Sequence, residues 1–498
     1  MTRKLGFSLR LPRGRGRVRF PPAHCPPAYC FLGTLWTTIS GMTSDKPKLF
    51  GTDGIRGVAG EYPLDRTTIW NLGIALGNVL RKEEPEGSVR VILGQDTRES
   101  GDWIARRLGA GLRSSGAQVI EAGVITTPGL AFLTQHHGFS AGVVISASHN
   151  PYEDNGIKVF SSFGMKLSEP VELAIERELA RAASEGPGNS EPALEPAPHL
   201  LEDYLERLLE LIPAGLAVSR YRLVVDCAHG AAYRMVPALL RRLGIEAHFL
   251  HIEPNGRNIN LGCGSLHPQM MAEATRALSA DLGVAFDGDA DRAIFATREG
   301  KLIDGDYVLS IMAPFLQGRG MLKGSAVVGT LMTNLALEIA LARQGIGLKR
   351  TAVGDKYVLE EMQRSGINLG GEPSGHIIFA HLSLAGDGII TLLEVVRLMA
   401  ETRQPFEELT RTFKPFPQKI QNVRVKEKAP LESLPEVARA ISECRSEMGE
   451  QGRVVVRYSG TEPLARVMVE AREAGMVEYH AARIAQAIES ALGTRGGG

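Results

Sequence analysis

The stretch "VRVILGQDTRESGDWIARRLGAGLRSSGAQVIEAG" (Val89–Gly123) decides the fold class. It opens with an apolar run that ends in polar residues, "VRVILGQD" (Val89–Asp96), and this pattern predicts a strand. "WIARRLGAGLRSSG" (Trp103–Gly116) then has helical spacing and a closing glycine, as helices with a left-handed end do. "AQVIEAG" is a second short strand pattern. This order predicts parallel strands covered by helices.

The same rhythm recurs in "YRLVVDCAHG" with "AAYRMVPALLRRLG", and in "SAVVGTLMTNLALEIALARQG". Residues 184–198 are rich in proline, glycine and glutamate, which predicts a linker without regular structure. Beyond "KPFPQK" (Lys414–Lys419) the order changes to strand, helix, two strands and helix. We therefore predict two or three similar α/β domains followed by an α+β domain with antiparallel strands.

Composition limits the class of protein. The chain has 498 residues, 44% of them hydrophobic, which is too long for one core and predicts about three or four domains. No run of about 18 apolar residues occurs, so no transmembrane helix is predicted. The five cysteines are scattered without a CxxC pair, which favours a reducing compartment and argues against a disulfide framework or a zinc site.

Charge is unevenly distributed along the chain. Residues 1–41 hold seven of the 56 basic residues and no acidic one, so the rest has 49 basic and 56 acidic residues and a net charge of −7. An acidic body argues against general nucleic-acid binding. Met42 opens a stretch that reads like a natural start, so we interpret 1–41 as a disordered or wrongly included leader, with a targeting signal or RNA-binding arm as alternatives.

The leader gives a first testable prediction. A chain beginning at Met42 is expected to match the full chain in melting temperature and turnover, because residues 1–41 show no helical or strand period. Thermal melts and steady-state kinetics of the two chains, side by side, measure this. A clear loss of activity on truncation would show that the leader is part of the working protein.

The first chemistry-bearing loop is in "VVISASHNPYEDNGIKVF" (Val143–Phe160), where an apolar strand ends in "SASHNP". Ligand sites of open parallel sheets lie at the carboxyl ends of strands, so Ser148 is a candidate nucleophile there. An ordinary turn is an equal alternative, because serine, histidine, asparagine and proline are common loop residues.

The second loop is "LGVAFDGDADRAIF", in which Asp287, Asp289 and Asp291 follow a buried-looking strand. Alternate carboxylates across a tight turn can converge on one hard cation, and without one they would repel. An EF-hand is excluded, because its sixth and twelfth positions would be Arg292 and Arg298. Mg²⁺ is the better prediction, since three protein oxygens leave room for a phosphate oxygen.

Three further loops carry polar groups. In "GGEPSGHIIF" the alternate residues Glu372, Ser374 and His376 suit sugar hydroxyls or an amine, although a polar turn is the plain alternative. "VVVRYSGTEPLARVMVE" could bind a phosphate dianion, and the alternative interpretation is a hairpin with a solvated arginine. The candidate hydrogen-bond donors of this segment are Arg457, Ser459, Gly460, Thr461 and Arg466. "LFGTDGIRG" (Leu49–Gly57) is a glycine-rich turn that could present Arg56 to a ligand, and the alternative interpretation is a simple turn where the chain enters the domain.

Together these loops resemble those of the α-D-phosphohexomutases over nearly all of Lys48 to Leu492. The discriminating pieces are "FGTDGIRG", "DGDADR" with Ala290 where relatives often have glycine, "CGSLHP" and "SGTEPLARVMVE". The resemblance implies three similar α/β domains with mixed, largely parallel sheets plus a C-terminal α+β domain, around a central cleft. The implied segments are the leader 1–41 and domains at 42–198, 199–302, 303–412 and 413–498.

The resemblance also implies roles. Ser148 would carry the transferred phosphoryl group and would bind Mg²⁺ together with three carboxylates, those of Asp287, Asp289 and Asp291. Lys158 and Arg56 would lie beside the transferring group, where acid/base help and charge stabilisation are needed, and Arg292 beside the metal loop. The other matches are the sugar-contacting turn, Glu372, Ser374 and His376, and the distal phosphate clamp, Arg457, Ser459, Gly460, Thr461 and Arg466.

The implied activity is mutase chemistry on hexose phosphates through a 1,6-bisphosphate, most similar to bacterial members that act on glucosamine phosphates on the route to UDP-N-acetylglucosamine. Pro373 departs from the glutamine or asparagine usual there, and so bears on the sugar at C2. Mannose or glucose phosphates are the near alternative, and a non-catalytic sugar-phosphate-binding regulator the distant one. A cytoplasmic location and a homodimer are further expectations, with neither membrane nor nucleic acid as a partner.

Overall fold

The computed structural model describes residues 49–83, 87–182, 193–458 and 463–493. The leader and the predicted clamp residues Ser459, Gly460 and Thr461 lie outside these ranges. Within them, four sheets follow one another along the chain, three mixed and the last antiparallel. Three α/β units and a C-terminal α+β unit are therefore confirmed.

The first sheet contains the stretch Val89–Gly123. Its strands are β1 (Ile55–Val58), β2 (Arg90–Gln95), β3 (Gln118–Val124), β4 (Ala141–Ile145), β5 (Asp154–Ser161) and β6 (Glu195–Pro196), in the order β1-β5-β4-β2-β3-β6. Its helices are α1 (Arg66–Glu83), α2 (Gly101–Ser114), α3 (Thr127–His136) and α4 (Glu169–Ala182). β2 is parallel to β3 and β4, and Gly116 beyond α2 has φ +87°, as the closing glycine predicts.

Residues 184–192 of the predicted linker lie outside the described ranges, and within 193–198 the prediction is wrong at one place. Glu195 and Pro196 form β6, which pairs parallel with Ile120 and Glu121 of β3. β6 lies at the edge of the sheet, where the missing N–H of a proline leaves no neighbouring strand unpaired. A composition typical of loops therefore does not exclude a short edge strand.

The second and third sheets repeat the plan. The second has β7 (Arg222–Asp226), β8 (Glu246–Leu250), β9 (Leu282–Phe286), β10 (Ala293–Ala296) and β11 (Leu302–Ile303), in the order β11-β10-β9-β7-β8. The third has β12 (Ala326–Thr330), β13 (Gly347–Thr351), β14 (Leu369–Gly371) and β15 (Ile377–Phe379), in the order β13-β12-β14-β15. The helices of this part are α5 (His199–Leu209), α6 (Met235–Arg242), α7 (Gln269–Ala277), α8 (Gly305–Gly318), α9 (Leu335–Ala342), α10 (Asp355–Ser365), α11 (Gly388–Thr402) and α12 (Phe406–Thr410).

The C-terminal unit has the predicted α+β order. Its strands β16 (Gln418–Arg424), β17 (Gly452–Tyr458) and β18 (Leu464–Ala471) form an antiparallel sheet with β18 in the middle, beside α13 (Pro435–Met448) and α14 (Ala474–Leu492). It has a hydrophobic core of its own and contacts the third unit, where Arg453 donates to the Thr333 carbonyl at 3.0 Å.

Alternation along β4 shows why its run is apolar throughout. Val144 packs into the large core that the first three sheets share, whereas Val143 and Ile145 pack with residues of α1 and α2 on the opposite face. A strand buried on both faces needs apolar residues at every position. No helix in the described ranges is long and apolar enough to cross a membrane.

Candidate active site

Three of the chemistry-bearing loops occupy the same topological position in the three α/β units. Each follows a strand that has a parallel neighbour on one side, and each leads into an antiparallel strand on the other. The loops are β4–β5 with Ser148, β9–β10 with the three aspartates, and β14–β15 with Glu372, Ser374 and His376. Repetition of the unit therefore places all three loops at the carboxyl ends of strands, where ligand sites form.

Ser148 lies fully buried and faces the second loop. Its hydroxyl donates to Asp287 Oδ2 at 2.5 Å, and its backbone has φ +54°, a left-handed conformation uncommon outside glycine. Ser146 is engaged differently, because its hydroxyl donates to Asp96 Oδ2 at 2.6 Å and accepts from the Ser148 amide at 2.9 Å. Of the two loop serines, only Ser148 presents its hydroxyl to the aspartates of the second loop.

Arg98 holds the Ser148 loop in place. It is buried, pairs with Asp96 through Nε at 2.9 Å, and donates to the carbonyls of Ser148 at 3.0 Å and Asn150 at 2.9 Å. Asn260 donates to the same two carbonyls at 2.8 and 3.0 Å. Charge-assisted hydrogen bonds to backbone carbonyls fix a loop more firmly than neutral ones, so the strained Ser148 backbone is well supported.

The three aspartates converge as predicted. One carboxylate oxygen of each lies within 4.8 Å of the others, and all three residues are buried. Burial, together with the charges of Asp291 and Asp289, raises the pKa of Asp287 well above its ordinary value. Asp289 Oδ1 and Asp291 Oδ1 are buried without a hydrogen-bond partner among the described residues. Buried carboxylate oxygens that accept no hydrogen bond are costly, and an oxygen-binding cation would satisfy them.

Lys158 and Arg56 lie beside this cluster. Lys158 Nζ, 1% exposed, is 2.7 Å from Asp289 Oδ2, 3.5 Å from Asp291 Oδ2 and 3.2 Å from Asp53 Oδ2. Burial alone would lower the pKa of Lys158, but these three carboxylates raise it above its usual value. Arg56 pairs with Asp53 and donates to Asn150 Oδ1 at 3.3 Å. Two cations therefore flank the Ser148 loop and the carboxylates.

Arg292 ends the second loop. Its amide donates to Asp287 Oδ1 at 3.1 Å, and its Nε lies 3.7 Å from Asp291 Oδ1. Ala290 in the same loop has φ +57°, a left-handed conformation that glycine would adopt without strain.

The third loop contacts the second loop and the start of α10. His376 Nδ1 is 3.7 Å from Asp291 Oδ1, and Nε2 is 3.7 Å from Asp355 Oδ2. Burial alone would lower the pKa of His376, but these carboxylates raise it to about 9. Glu372 accepts from the Gly354 amide at 3.1 Å, whereas the Ser374 hydroxyl finds no partner in the described part of the chain. The loop thus presents a cation, a carboxylate and a hydroxyl together.

The clamp is described only in part. Arg457 of β17 and Arg466 of β18 are directly opposed across the antiparallel pair. Their position facing the same site stays a prediction.

Sequence reasoning missed Asp53, Lys166 and Asp355. Asp53 joins Arg56, Lys158 and Lys166, and Lys166 also pairs with Asp355 Oδ2 at 2.7 Å. Asp53 stands in "FGTDGIRG", three residues before Arg56, so proximity to Arg56 was the available signal. Lys166 and Asp355 are brought together only by packing of the first unit against the third.

Comparison with known proteins identifies the family. Models of the phosphoglucomutase/phosphomannomutase family match along the chain: alpha/beta/alpha domain I at 47–185, domain II at 202–300, domain III at 304–416 and the C-terminal domain at 421–487. The chain belongs to this family.

Within the phosphoglucomutase/phosphomannomutase family, the phosphoglucosamine mutase of Koribacter versatilis is 50% identical over 464 residues, covering 91% of this chain and 99% of the relative. A family protein from Burkholderia thailandensis has a TM-score of 0.73 at 23% identity, covering 89% and 97% of the two chains. Aspergillus fumigatus N-acetylphosphoglucosamine mutase, solved with GlcNAc-6P and magnesium, has a TM-score of 0.64 at 20% identity, covering 90% and 96%. The two structures support the fold.

Proposed function

We propose that this enzyme interconverts glucosamine 6-phosphate and glucosamine 1-phosphate through a phosphoserine and a 1,6-bisphosphate, on the route to UDP-N-acetylglucosamine. The observation that carries the proposal is the buried Ser148 hydroxyl facing the aspartate cluster. The substrate class is supported by the phosphoglucosamine mutase of K. versatilis, which matches nearly full length. The reaction makes the protein an intramolecular phosphotransferase of the isomerase class.

In the proposed cycle, phosphorylated Ser148 donates its phosphoryl group to O1 of glucosamine 6-phosphate. The resulting 1,6-bisphosphate turns over within the site, and its 6-phosphoryl group returns to the Ser148 hydroxyl, which leaves glucosamine 1-phosphate. Arg98 and Asn260 hold the loop backbone during both transfers. Lys158 and Arg56 would stabilise negative charge on the oxygens of the transferring phosphoryl group. Positioning and charge stabilisation supply most of the catalysis in phosphoryl transfer.

Asp287, Asp289 and Asp291 are proposed to hold Mg²⁺ together with the Ser148 phosphate. Their donor set is oxygen only, and two of their buried oxygens have no hydrogen-bond partner in the described ranges, which fits a hard cation. When bound, Mg²⁺ would offset negative charge on the transferring phosphoryl group. The magnesium in the A. fumigatus structure agrees with this choice.

The remaining loops are proposed to bind the sugar and the distal phosphate of the substrate. Glu372, Ser374 and His376 are proposed to hydrogen-bond the hexosamine, and Arg292 to contact the substrate beside the metal loop. The distal phosphate would bind Arg457, Ser459, Gly460, Thr461 and Arg466. A hairpin of arginines and small donors suits either phosphate of the turning intermediate, because a phosphate dianion accepts from many directions.

A cytoplasmic location and a homodimeric state are also proposed. Cys227, Cys263 and Cys444 are free and buried, which agrees with a reducing cytoplasm. A homodimer remains a proposal that size-exclusion chromatography with light scattering would test.

Parallel assays of glucosamine, glucose and mannose 6-phosphates, each primed with its own 1,6-bisphosphate, test the substrate. We expect glucosamine 6-phosphate to give the highest kcat/KM. A clear preference for mannose or glucose phosphate would replace the substrate assignment, and binding without turnover of any of them would favour the regulator.

Arg457→Ala should chiefly weaken substrate binding. Losing one charge-assisted hydrogen bond to the distal phosphate is worth about 1.5–3 kcal/mol, which raises KM roughly tenfold to a hundredfold. Arg424→Ala, an exposed arginine on β16 of the same sheet, is the matched control and should leave KM unchanged. Steady-state kinetics at several Mg²⁺ concentrations measure both, and an Arg457 variant with unchanged KM would remove it from the clamp.

A further inference from the structure

A second group of metal-binding side chains lies outside the aspartate cluster. Asp226 ends β7, His251 follows β8, and Cys263 lies in the loop beyond. One donor atom of each lies within 4.8 Å of the others. Asp226 and Cys263 are buried, and the His251 side chain is 18% exposed, so the group has one side near the surface. The mechanism proposed above uses none of the three.

The carboxylate of this group is already oriented. Asp226 Oδ1 accepts from the Ala228 amide at 2.8 Å, and Oδ2 accepts from the Gly264 amide at 3.0 Å. Each carboxylate oxygen can accept twice, so both keep a lone pair for a further partner. His251 Nδ1 lies 3.0 Å from Oδ1, close to the separation of about 3.3 Å between two ligands of one tetrahedral ion.

The donor types select the class of cation. Oxygen, imidazole nitrogen and thiol sulfur together suit zinc and similar borderline-soft ions, whereas magnesium prefers oxygen alone. The ring of His229 stands 5.1 Å from that of His251, and its Nδ1 accepts from the Glu253 amide at 3.2 Å. His229 is not among the residues whose donor atoms lie within 4.8 Å of one another, so the three-ligand group leaves the fourth tetrahedral position to water.

We propose that Asp226, His251 and Cys263 form a binding site for a zinc-like divalent cation, distinct from the magnesium site. The absence of a CxxC pair in the sequence does not exclude it, because the fold rather than close spacing assembles the donors. The competing interpretation is a simple ion pair, in which Asp226 raises the pKa of His251 and no cation binds.

The chain segment that carries His251 and Cys263 contacts the proposed active site. Asn260, between His251 and Cys263 in the chain, donates to the Ser148 carbonyl at 2.8 Å. Ser265, just beyond Cys263, donates its amide to the Phe286 carbonyl at 2.8 Å, next to Asp287. A cation bound by both His251 and Cys263 would therefore stabilise the segment that holds the Ser148 loop. We expect cation binding to raise the melting temperature of the protein.

Cobalt(II) titration tests the proposal through a readout independent of turnover. The full-length chain would carry Cys25→Ser and Cys30→Ser, so that the thiols of the leader do not contribute, and excess Mg²⁺ would keep the aspartate cluster occupied. We expect a thiolate-to-cobalt charge-transfer band that saturates at one equivalent and is displaced by zinc. Cobalt at the aspartate cluster cannot give this band, because that cluster offers only oxygens.

Cys263→Ser and His251→Gln should each abolish the band, whereas Cys444→Ser, which removes a buried thiol of the C-terminal unit, should keep it. Near-ultraviolet circular dichroism would verify the fold of each variant. If Cys263→Ser does not fold, His251→Gln carries the test, since its side chain reaches the surface. No band in the parent chain, or a band that survives both substitutions, would overturn the site and leave the ion pair.

Discussion

Ser148→Ala is expected to reduce mutase turnover by several orders of magnitude, roughly a thousandfold or more, because the covalent route is removed. The protein should stay folded. The lost hydroxyl donates to Asp287 and lies 3.2 Å from His149 Nδ1, and one such hydrogen bond contributes about 0.5–1.5 kcal/mol to the free energy of unfolding. Single-turnover kinetics and a thermal melt measure the two effects separately.

Ser310→Ala is the matched control. Ser310 donates its hydroxyl within α8, to the Tyr307 carbonyl at 2.7 Å, so its loss should cost comparable stability and no activity. Full turnover in Ser148→Ala, with phosphate located on Ser146 instead, would contradict the assignment of the phosphoryl acceptor.

Asp289→Asn should cut turnover roughly tenfold to a hundredfold at fixed Mg²⁺ and raise the Mg²⁺ concentration needed for half-maximal rate. The change removes one of three carboxylate charges but keeps an oxygen for Lys158 and Thr127, which both donate to Asp289. Added Mg²⁺ should therefore restore part of the rate, and it should leave the Arg457→Ala defect unchanged. Mg²⁺ titrations of kcat measure the effect.

Asp304→Asn provides the control for the loss of a carboxylate. Asp304 caps α8, where asparagine caps about as well, so its Mg²⁺ dependence should match that of the parent. If Asp289→Asn shows the same half-maximal Mg²⁺ concentration as Asp304→Asn, the aspartate cluster does not hold the ion.

The sequence analysis named Ser148 as the reacting group of its loop. The structure adds a physical reason to set the other loop serine aside, because Ser146 in "ISASHNP" donates to Asp96 and accepts from the Ser148 amide. The aspartates were easier to predict, because three carboxylates that follow one buried strand would repel one another without a cation between them. Local pattern thus identifies the loop, and tertiary contacts identify the atom.

Local sequence patterns could not predict the residues that hold the reacting loops in place. Arg98 contacts backbone carbonyls about fifty residues away, and Lys166 reaches Asp355 of the third unit. Such partners depend on how whole units pack, which periodicity and motif spacing do not encode. The alternation of strand and helix, by contrast, follows from burial on both faces of each sheet, so the fold class was predictable.

The central claim is that Ser148 carries the phosphoryl group exchanged with a hexosamine phosphate. Intact-mass analysis of the purified protein, before and after incubation with glucosamine 1,6-bisphosphate, tests it most directly when followed by peptide mapping. The predicted result is one added phosphoryl group, located on Ser148, which is discharged when glucosamine 6-phosphate is added. No mass change, a phosphosite at another residue, or a phosphoserine that the sugar phosphate does not discharge would contradict it.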